Sequence, residues 1–272
     1  MTEKKPSGLK QRTITGLSIG IPMLFLIFFN TETRILMIGL IMFFTAFEYN
    51  KLTSQSLSSF LPIFSITISI LAILLLFLPQ AFYYVLIFSL LFNISLVIEL
   101  YKSSKTRLTK NGWLNSVFYT TMPLSLLLIG NDSTRVDILF PSILILIWIS
   151  DISAYLVGKT IGKNKMMPRI SPGKSWEGFY GAGLITIMCS YIFFTTTQSY
   201  SLQAWAIIGL STWLFGSIGD LVESKFKRAM SIKDSGTILP GHGGFLDRFD
   251  GFYFCIPFVL SLIFVLKYFD HI

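Results

Sequence analysis

The sequence predicts an all-α integral membrane protein that crosses the bilayer about nine times, with its N-terminus in the cytoplasm. Composition is the first reason, because 53% of the 272 residues are hydrophobic and 13% are charged. Soluble domains carry about 45–50% apolar and about 25% charged residues. The second reason is that the apolar residues occur in long runs. The third is that lysine and arginine are distributed unevenly between the loops.

Nine apolar runs approach the roughly 20 residues that a helix needs to cross a bilayer. The second and the fifth run are the shortest. The runs comprise residues 14–30, 35–50, 60–78, 81–100, 116–130, 136–158, 178–196, 203–221 and 252–268. We expect residues 1–13 to form a basic cytoplasmic tail. Residues 14–272 are expected to form a single transmembrane domain with polar stretches at 151–178 and 220–251.

The positive charges predict the orientation. If the N-terminus is cytoplasmic, all of the 22 lysine and arginine residues except Arg34, Arg135 and Lys267 fall on the cytoplasmic side. This imbalance agrees with an odd number of spans and puts both polar stretches where nucleotides are. It also explains the net charge of +8. A nucleic-acid partner is not expected, because no soluble segment combines a basic amphipathic element with aromatic residues.

The stretch 220–251 concentrates acids in an otherwise apolar chain. Asp220 and Glu223 are three residues apart and share a helical face. Asp247 and Asp250 repeat that spacing just before the last span. Two such pairs, brought together from the ends of adjacent helices, would form an oxygen-rich site for Mg²⁺.

Cations in the same stretch suit phosphate groups. Lys227, Arg228 and Lys233 precede the glycine-rich residues 242–244, so side chains can supply charge and glycine amides can supply hydrogen bonds. One alternative is that these bases only follow the positive-inside rule, which is the interpretation we prefer for Lys225. Another is that Lys225, Arg228 or Arg248 forms interfacial salt bridges with the acids. Two acid pairs flanking a glycine-rich loop favour the metal site over the salt bridges.

The stretch 151–178 contains a second set of polar residues. Asp151 is an acid inside a span, which needs a partner or a cavity. Ser171–Gly173 predicts a turn before a helix start, and Lys174 after it is a candidate phosphate contact. The alternative is an ordinary loop with a helix cap. The glycines within 178–183 indicate close helix packing and not a phosphate loop.

Four other residues in or beside apolar runs are assigned no chemistry. Glu48 and Glu99 end the second and fourth spans, and we expect both at the membrane interface. Cys189 and Cys255 lie inside apolar runs. Their spacing fits neither a disulfide nor a metal site, so we interpret both as buried apolar residues.

The segment 224–250 carries a longer pattern. It reads S-K-F-K-R, four residues, K-D-S-G and then P-G-H-G-G-F-L-D-R-F-D. S-P-G-K-S-W-E-G at 171–178 and D-x-x-A-Y at 151–155 lie upstream. Together these motifs resemble those of the phosphatidate cytidylyltransferases, also called CDP-diacylglycerol synthases. The resemblance implies that CTP and phosphatidic acid react to give CDP-diacylglycerol and pyrophosphate in phospholipid biosynthesis.

The resemblance also implies roles for individual residues. In this family the aspartates matching Asp220 and Asp247 hold the catalytic cations. We predict Mg²⁺ as the cofactor and leave open a monovalent cation such as K⁺. The predicted catalytic residues are Asp220, Asp247, Lys227, Arg228, Lys233 and Asp234; the substrate-binding residues are Ser224, His242, Gly243, Gly244, Arg248 and Lys174; the metal ligands are Asp220, Asp247, Glu223 and Asp250. For His242, a purely structural hydrogen bond is an equal alternative.

The expected setting follows from the same resemblance. We expect a multi-pass protein of the plasma membrane whose active site faces the cytoplasm. Its partners would be CTP, phosphatidic acid and the lipid bilayer, and the resemblance leaves a homodimer open. The lipid phosphate would attack the α-phosphorus of CTP in line, so that catalysis is mainly positioning and charge neutralisation.

Four other functions were weighed. A CTP-dependent polyprenol or dolichol kinase is the nearest, with a lipid alcohol as acceptor. A UbiA-like prenyltransferase usually has aspartates four apart, whereas those of D-R-F-D are three apart. A CDP-alcohol phosphotransferase is disfavoured because the sequence has no D-G-x-x-A-R run. A transporter or lipid scramblase would scatter polar residues through several spans at mid-depth, whereas here they cluster at the predicted cytoplasmic ends.

Overall fold

The chain folds almost entirely into α-helices in the computed structural model. The structure describes residues 20–53, 61, 63–64, 66–68, 70, 80–102, 106–110, 112–128, 135–236 and 243–269. Its helices are α1 (Gly20–Phe29), α2 (Thr31–Leu52), α3 (Ala81–Lys102), α4 (Gly112–Ser116, the π-helical turn Val117–Thr121 and Met122–Leu128), α5 (Val136–Ile161), α6 (Trp176–Thr197), α7 (Leu202–Ala229) and α8 (Leu246–Tyr268). A short 3₁₀ turn at Arg107–Thr109 precedes α4.

Six of these helices are long and apolar enough to cross a membrane, namely α2, α3, α5, α6, α7 and α8. They correspond to six of the nine predicted spans. The run 14–30 is described only from residue 20, as α1, and the run 116–130 corresponds to the segmented helix α4. Most of the run 60–78 and all of the tail 1–13 lie outside the described residues. The count of nine and the cytoplasmic N-terminus therefore stay predictions.

The all-α prediction is confirmed for nearly all of the described chain, and the exception is a short hairpin between α5 and α6. Residues Lys165–Met167 (β1) and Ser171–Ser175 (β2) form an antiparallel hairpin. The predicted turn at Ser171–Gly173 is accordingly wrong, because the turn lies at 168–170. Proline is tolerated in an edge strand of this kind, where its missing N–H faces away from the partner strand. The carboxylate of Glu177 accepts a bond from the Asn164 amide side chain at 2.8 Å and so ties the hairpin to α6.

Short polar residues begin three of the six long helices. Asn30 caps α2 in a reciprocal capping box with Thr33. Ser175 caps α6 by accepting a bond from the Gly178 N–H, and Ser201 caps α7 in the same way. The residues before α5 and α8, Arg135 and Phe245, provide no side-chain cap.

Helix α8 lies at the centre of the described structure. Helices α5, α6, α7 and α8 pack in sequence, each on the next, and α8 also contacts α2, α3 and α4. It is the most buried of the six candidate spans. On its α3 side, the Asn93 side-chain amide donates to the Phe254 carbonyl at 3.0 Å. Helix α8 therefore packs against helices from the N-terminal part of the chain (α2, α3 and α4) as well as against α5 and α7.

The glycines within 178–183 pack helices together, as predicted. A Cβ on Gly178 would lie 2.7 Å from the Ala154 carbonyl oxygen, and one on Gly183 would lie 2.6 Å from the Trp213 ring. Both distances are too short for any side chain. Cys189 and Cys255 are both free thiols, and Cys255 is fully buried.

Candidate active site

Helices α7 and α8 approach each other closely at glycines. A Cβ on Gly219 would lie 2.6 Å from the Phe254 Cβ and 2.9 Å from the Asp250 carbonyl oxygen. A Cβ on Gly251 would lie 2.9 Å from the Gly216 carbonyl oxygen. The two backbones can therefore approach each other only where side chains are absent. Acids next to these glycines are brought face to face.

Three acids meet at this crossing. Carboxylate oxygens of Asp220, Glu223 and Asp250 lie within 4.8 Å of one another. The side chain of Glu223 is fully buried, and among the described residues its Oε1 has no hydrogen-bond partner. Hard divalent cations such as Mg²⁺ prefer oxygen ligands of this kind, and a buried orphan oxygen is what a bound cation would satisfy. The donor set therefore fits a divalent cation.

The acids do not lie at the end of α7, which corrects one expectation. The predicted span stopped at residue 221, but α7 continues to Ala229, about 12 Å further at 1.5 Å per residue. Five of the eight extra residues are polar or charged, so apolar run length alone placed the end too early. Asp220 and Glu223 therefore project from within a helix, and only Asp247 and Asp250 lie near a helix end.

Lys227 forms a bridge between two acids on different helices. Its Nζ lies 2.5 Å from Glu223 Oε2 and 2.6 Å from Asp247 Oδ1. The side chains of Glu223 and Asp247 are 0% and 5% exposed, and that of Lys227 is 12% exposed. We refer to the Lys227–Glu223 ion pair, which Asp247 joins through the same ammonium group, as the closed pair.

The second carboxylate oxygen of Asp247 accepts hydrogen bonds from the backbone. Its Oδ2 accepts the Ser235 N–H at 2.8 Å and the Gly244 N–H at 2.9 Å. It is not among the three acids whose oxygens converge. Its predicted role as a direct metal ligand stays a prediction, and its observed contacts are the Lys227 bridge and the two amides.

Lys174 and Asp220 form a second ion pair, the open pair. Lys174 Nζ lies 2.6 Å from Asp220 Oδ2, and the side chains are 25% and 32% exposed. The Ser224 hydroxyl donates to Asp220 Oδ1 at 3.1 Å. Burial acts to lower the pKa of Lys174, but the Asp220 carboxylate outweighs it and the pKa is raised above its ordinary value. Lys174 therefore carries its charge at neutral pH.

Asp151 belongs to the same electrostatic environment. It lies on α5 and interacts electrostatically with Asp220, Lys174 and Arg248. The sequence marked it as an acid that needed a partner, and these groups are its neighbours. The hairpin explains the arrangement, because β2 carries Lys174 back toward α5 and α7.

The predicted phosphate-binding residues lie around this cluster. Arg228 is exposed and donates to the carbonyl oxygens of Ile170 at 3.2 Å and Ile232 at 3.1 Å. Lys233, Asp234 and Arg248 are also exposed. The structure thus places cations at the surface next to the buried acids, and their contact with phosphate stays a prediction.

Two of the three predicted loop residues fall within the described chain. Gly243 has φ +86°, a conformation that L side chains rarely adopt. A Cβ there would also lie 2.6 Å from Asp247 Oδ2. Gly244 donates its N–H to the same carboxylate. His242 lies outside the described residues.

Salt bridges, the alternative to a metal site, are present among these acids, but with other lysines than expected. Lys225, Arg228 and Arg248 were the expected bases, but the ion pairs described for these acids involve Lys174 and Lys227. Lys225 is buried, and its Nζ donates to the Glu99 carbonyl oxygen at 2.5 Å. It therefore holds α7 to α3, which corrects its interpretation as an ordinary loop cation.

Sequence reasoning missed Glu48. We expected it at the interface, but it is 2% exposed, and its Oε2 accepts the Leu246 N–H at 2.8 Å. Nothing in the spacing around residue 48 indicates a partner so distant in the chain. Tyr119 and Tyr253 were missed too; their rings lie 5.0 Å apart edge to face, next to Glu223 and Asp250.

Two curated relatives resemble part of this chain. A phosphatidate cytidylyltransferase of Staphylococcus aureus (strain COL) is 46% identical over 121 residues, which cover 44% of this chain and 46% of the relative. One of Bacillus subtilis (strain 168) is 48% identical over 120 residues, which cover 44% of this chain and 45% of the relative. The chain thus spans a little less than half the length of the curated relatives it matches.

The family comparison covers far more of the sequence. The pattern of the Cytidylyltransferase family matches residues 10–266. This range includes all six candidate spans up to the last turn of α8, the hairpin and the acid cluster. The chain therefore belongs to the cytidylyltransferase family.

Proposed function

We propose that this chain transfers a cytidylyl group from CTP to phosphatidic acid, giving CDP-diacylglycerol and pyrophosphate for phospholipid biosynthesis. The observation that carries the proposal is the convergence of Asp220, Glu223 and Asp250 at the crossing of α7 and α8. Membership of the family supports the transfer of a cytidylyl group. The names of the similar proteins from S. aureus and B. subtilis support phosphatidate as the acceptor.

The reaction exchanges one phosphoanhydride bond for another. An oxygen of the lipid phosphate forms a bond to the α-phosphorus of CTP, and the bond from that phosphorus to the β-phosphate oxygen breaks. Pyrophosphate leaves with the bonding electrons. Because a phosphate oxyanion is already a nucleophile, no covalent enzyme intermediate is needed, and the protein contributes position and charge.

The exposed cations are suited to bind the anionic substrates. Arg228, Lys233 and Arg248 are exposed and Lys174 is a quarter exposed, so phosphate groups can reach all four. Lys227 is held between Glu223 and Asp247, so we assign to it the task of keeping these two carboxylates in place. Its predicted contact with the triphosphate stays a prediction.

We also propose Mg²⁺ as the cofactor. Asp220, Glu223 and Asp250 would hold it, and Asp247 lies next to them through Lys227. When bound, Mg²⁺ would neutralise charge on the reacting phosphates. The orphaned Glu223 Oε1 supports this assignment. A monovalent cation and a homodimer stay predictions.

We propose that the protein lies in the plasma membrane and that its polar site faces the cytoplasm. The lysine and arginine distribution supports this orientation, since only Arg34, Arg135 and Lys267 would lie outside. Six apolar helices would keep the lipid chains of the substrate in the bilayer while its headgroup reaches the acids. A cysteine-reactive probe at Lys163, in the loop before β1, should label only from the cytoplasmic side once that residue is replaced by cysteine.

The direct test is an assay with purified protein, CTP, Mg²⁺ and phosphatidic acid in mixed micelles. We expect stoichiometric CDP-lipid and pyrophosphate, and loss of both when the divalent cation is chelated. A parallel reaction offers a polyprenol in place of phosphatidic acid. Phosphorylated polyprenol and free CDP in that arm, with no CDP-lipid in the first, would replace the proposal by a lipid kinase. Asp220→Asn serves as the inactive control.

A further inference from the structure

Glu48 lies on α2, outside the helices that carry the three converging acids, yet it is almost completely buried. A carboxylate in such a place costs free energy unless donors compensate it. Its Oε2 accepts the Leu246 N–H at 2.8 Å and the Ser235 hydroxyl at 3.2 Å. Among the described residues, its Oε1 has no hydrogen-bond partner.

The two donors stand on either side of the glycine-rich segment 236–245. Asp247 holds the same two sides, through the N–H groups of Ser235 and Gly244. Each side of the segment is therefore bonded to two carboxylates, one from α2 and one from α8. Ser235 illustrates this most directly, since its hydroxyl donates to Glu48 and its N–H donates to Asp247.

The backbone at both sides of the segment lies directly against the Glu48 carboxylate. A Cβ on Gly236 would lie 2.5 Å from Glu48 Oε1, and one on Gly244 would overlap Glu48 Oε2 and the Ser235 hydroxyl. Only glycine allows such an approach. The contact therefore depends on both partners: Glu48 supplies a buried carboxylate, and Gly236 and Gly244 leave room for it.

Glu48 also supplies what the start of α8 lacks. Phe245, the residue before the helix, provides no side-chain cap, so the first N–H groups of α8 need acceptors from elsewhere. Glu48 accepts the Leu246 N–H, and a negative charge at this end of a helix is favourable. Asp247 and Asp250 lie in the first two turns of α8, so the position of both acids depends on this contact.

We propose that Glu48 is a positioning residue of the cytidylyl-transfer site. It fixes both sides of the segment 236–245 and the start of α8, and through Asp247 it fixes the Lys227 bridge to Glu223. It does not touch the reacting atoms. The inference rests on the proposed function for its kinetic consequence, whereas the structural contact can be measured independently of turnover.

The test compares three variants in lipid nanodiscs. Glu48→Ala removes both hydrogen bonds, and Glu48→Gln keeps an oxygen that can accept the Leu246 N–H. The matched control is Glu99→Gln, on α3, whose carboxylate pairs with Arg107 and is not among the converging acids. The measurements are kcat, KM for each substrate, thermal unfolding, and amide hydrogen exchange of the peptide covering 233–248.

We expect Glu48→Ala to lower kcat by about 10²-fold, the loss expected when two hydrogen bonds to a charged acceptor disappear. Glu48→Gln should recover about tenfold of that loss, and KM for phosphatidic acid should stay within about twofold. Exchange of the 233–248 peptide should accelerate in both Glu48 variants. Glu99→Gln should change neither kcat nor the exchange of this peptide.

Two results would overturn the inference. One is unchanged exchange in the 233–248 peptide of Glu48→Ala. The other is a kcat that falls only in proportion to the folded fraction, and equally in Glu99→Gln, as a purely structural role predicts. An inactive wild-type protein would instead reject the proposed function, and the exchange measurement would still decide whether Glu48 holds the segment.

Discussion

The open pair and the closed pair use the same chemistry in different surroundings. Both join a lysine ammonium to carboxylates at distances of 2.5–2.6 Å. Lys174 and Asp220 are a quarter and a third exposed, whereas Lys227 and its two partners are 12% exposed or less. A solvent-accessible pair can exchange partners at little cost, but a buried pair cannot lose one partner without leaving an uncompensated charge. The open pair is therefore suited to bind substrate, and the closed pair is suited to hold α7 and α8 in a fixed arrangement.

The two pairs also differ in where their lysines come from. Lys227 lies one turn after Glu223 on α7, so helix geometry alone brings them together. Lys174 comes from β2 and reaches Asp220 only because the hairpin folds back on α7. The closed pair is thus largely local in the chain, and the open pair depends on tertiary structure.

The largest expected effect is on turnover. Asp220→Asn should lower kcat by about 10³-fold or more, since a carboxylate next to the reacting phosphates is lost. Its unfolding free energy should change by about 0–1 kcal/mol, because the pair is partly exposed to solvent. Asp247→Asn should lose as much activity and also be less stable. Near-normal turnover in both variants would remove the metal assignment.

A matched pair of lysine substitutions tests the comparison on stability. Lys227→Met leaves two buried carboxylates without their cation, so we expect a loss of about 3–5 kcal/mol in unfolding free energy. Lys174→Met should lose about 0–1 kcal/mol. Chemical denaturation in detergent micelles measures both. Equal losses would mean that the difference in exposure has no energetic consequence.

The helix crossing beneath the acids gives an intermediate effect. Gly219→Ala would force α7 and α8 apart, and we expect a loss of about 1–3 kcal/mol in stability together with reduced turnover. Gly39→Ala on α2 is the control, since a Cβ there meets nothing within 4 Å. That variant should be neutral or more stable by up to about 1 kcal/mol. Identical behaviour of the two variants would contradict the close approach at Gly219.

The smallest effect is expected at the hairpin. Arg228→Gln removes the bond to the Ile170 carbonyl, which ties the hairpin to α7, and the bond to the Ile232 carbonyl just after α7. It should therefore loosen the open pair alone. We expect kcat/KM to fall about three- to tenfold. Arg169→Gln, at the exposed hairpin turn, is the control and should be unchanged. A much larger rise in KM for CTP would indicate direct phosphate contact by Arg228.

Sequence patterns predicted the parts of this molecule that depend on local chemistry. Run length located six spans, and the three-residue spacing of Asp220 and Glu223 placed both on one helical face. The glycines within 178–183 were correctly interpreted as packing residues. In each case the determining residues are neighbours in the chain.

The remaining features depend on contacts between distant residues. The ion pair of Lys174 with Asp220 requires a hairpin that the Ser-Pro-Gly pattern concealed. Asp247 could not be oriented from its spacing, because its contacts depend on where α8 begins. The burial of Glu48 depends on α8, which follows it by more than 190 residues. No local periodicity carries that information.

The contact between Glu48 and Leu246 has a consequence for biogenesis. The two residues are 198 positions apart, so α2 leaves the ribosome long before the groups that compensate its acid exist. Until α8 arrives, an unpartnered carboxylate resides in or next to the bilayer, where it is costly. The polar site can therefore be completed only after the first residues of α8 have been synthesised.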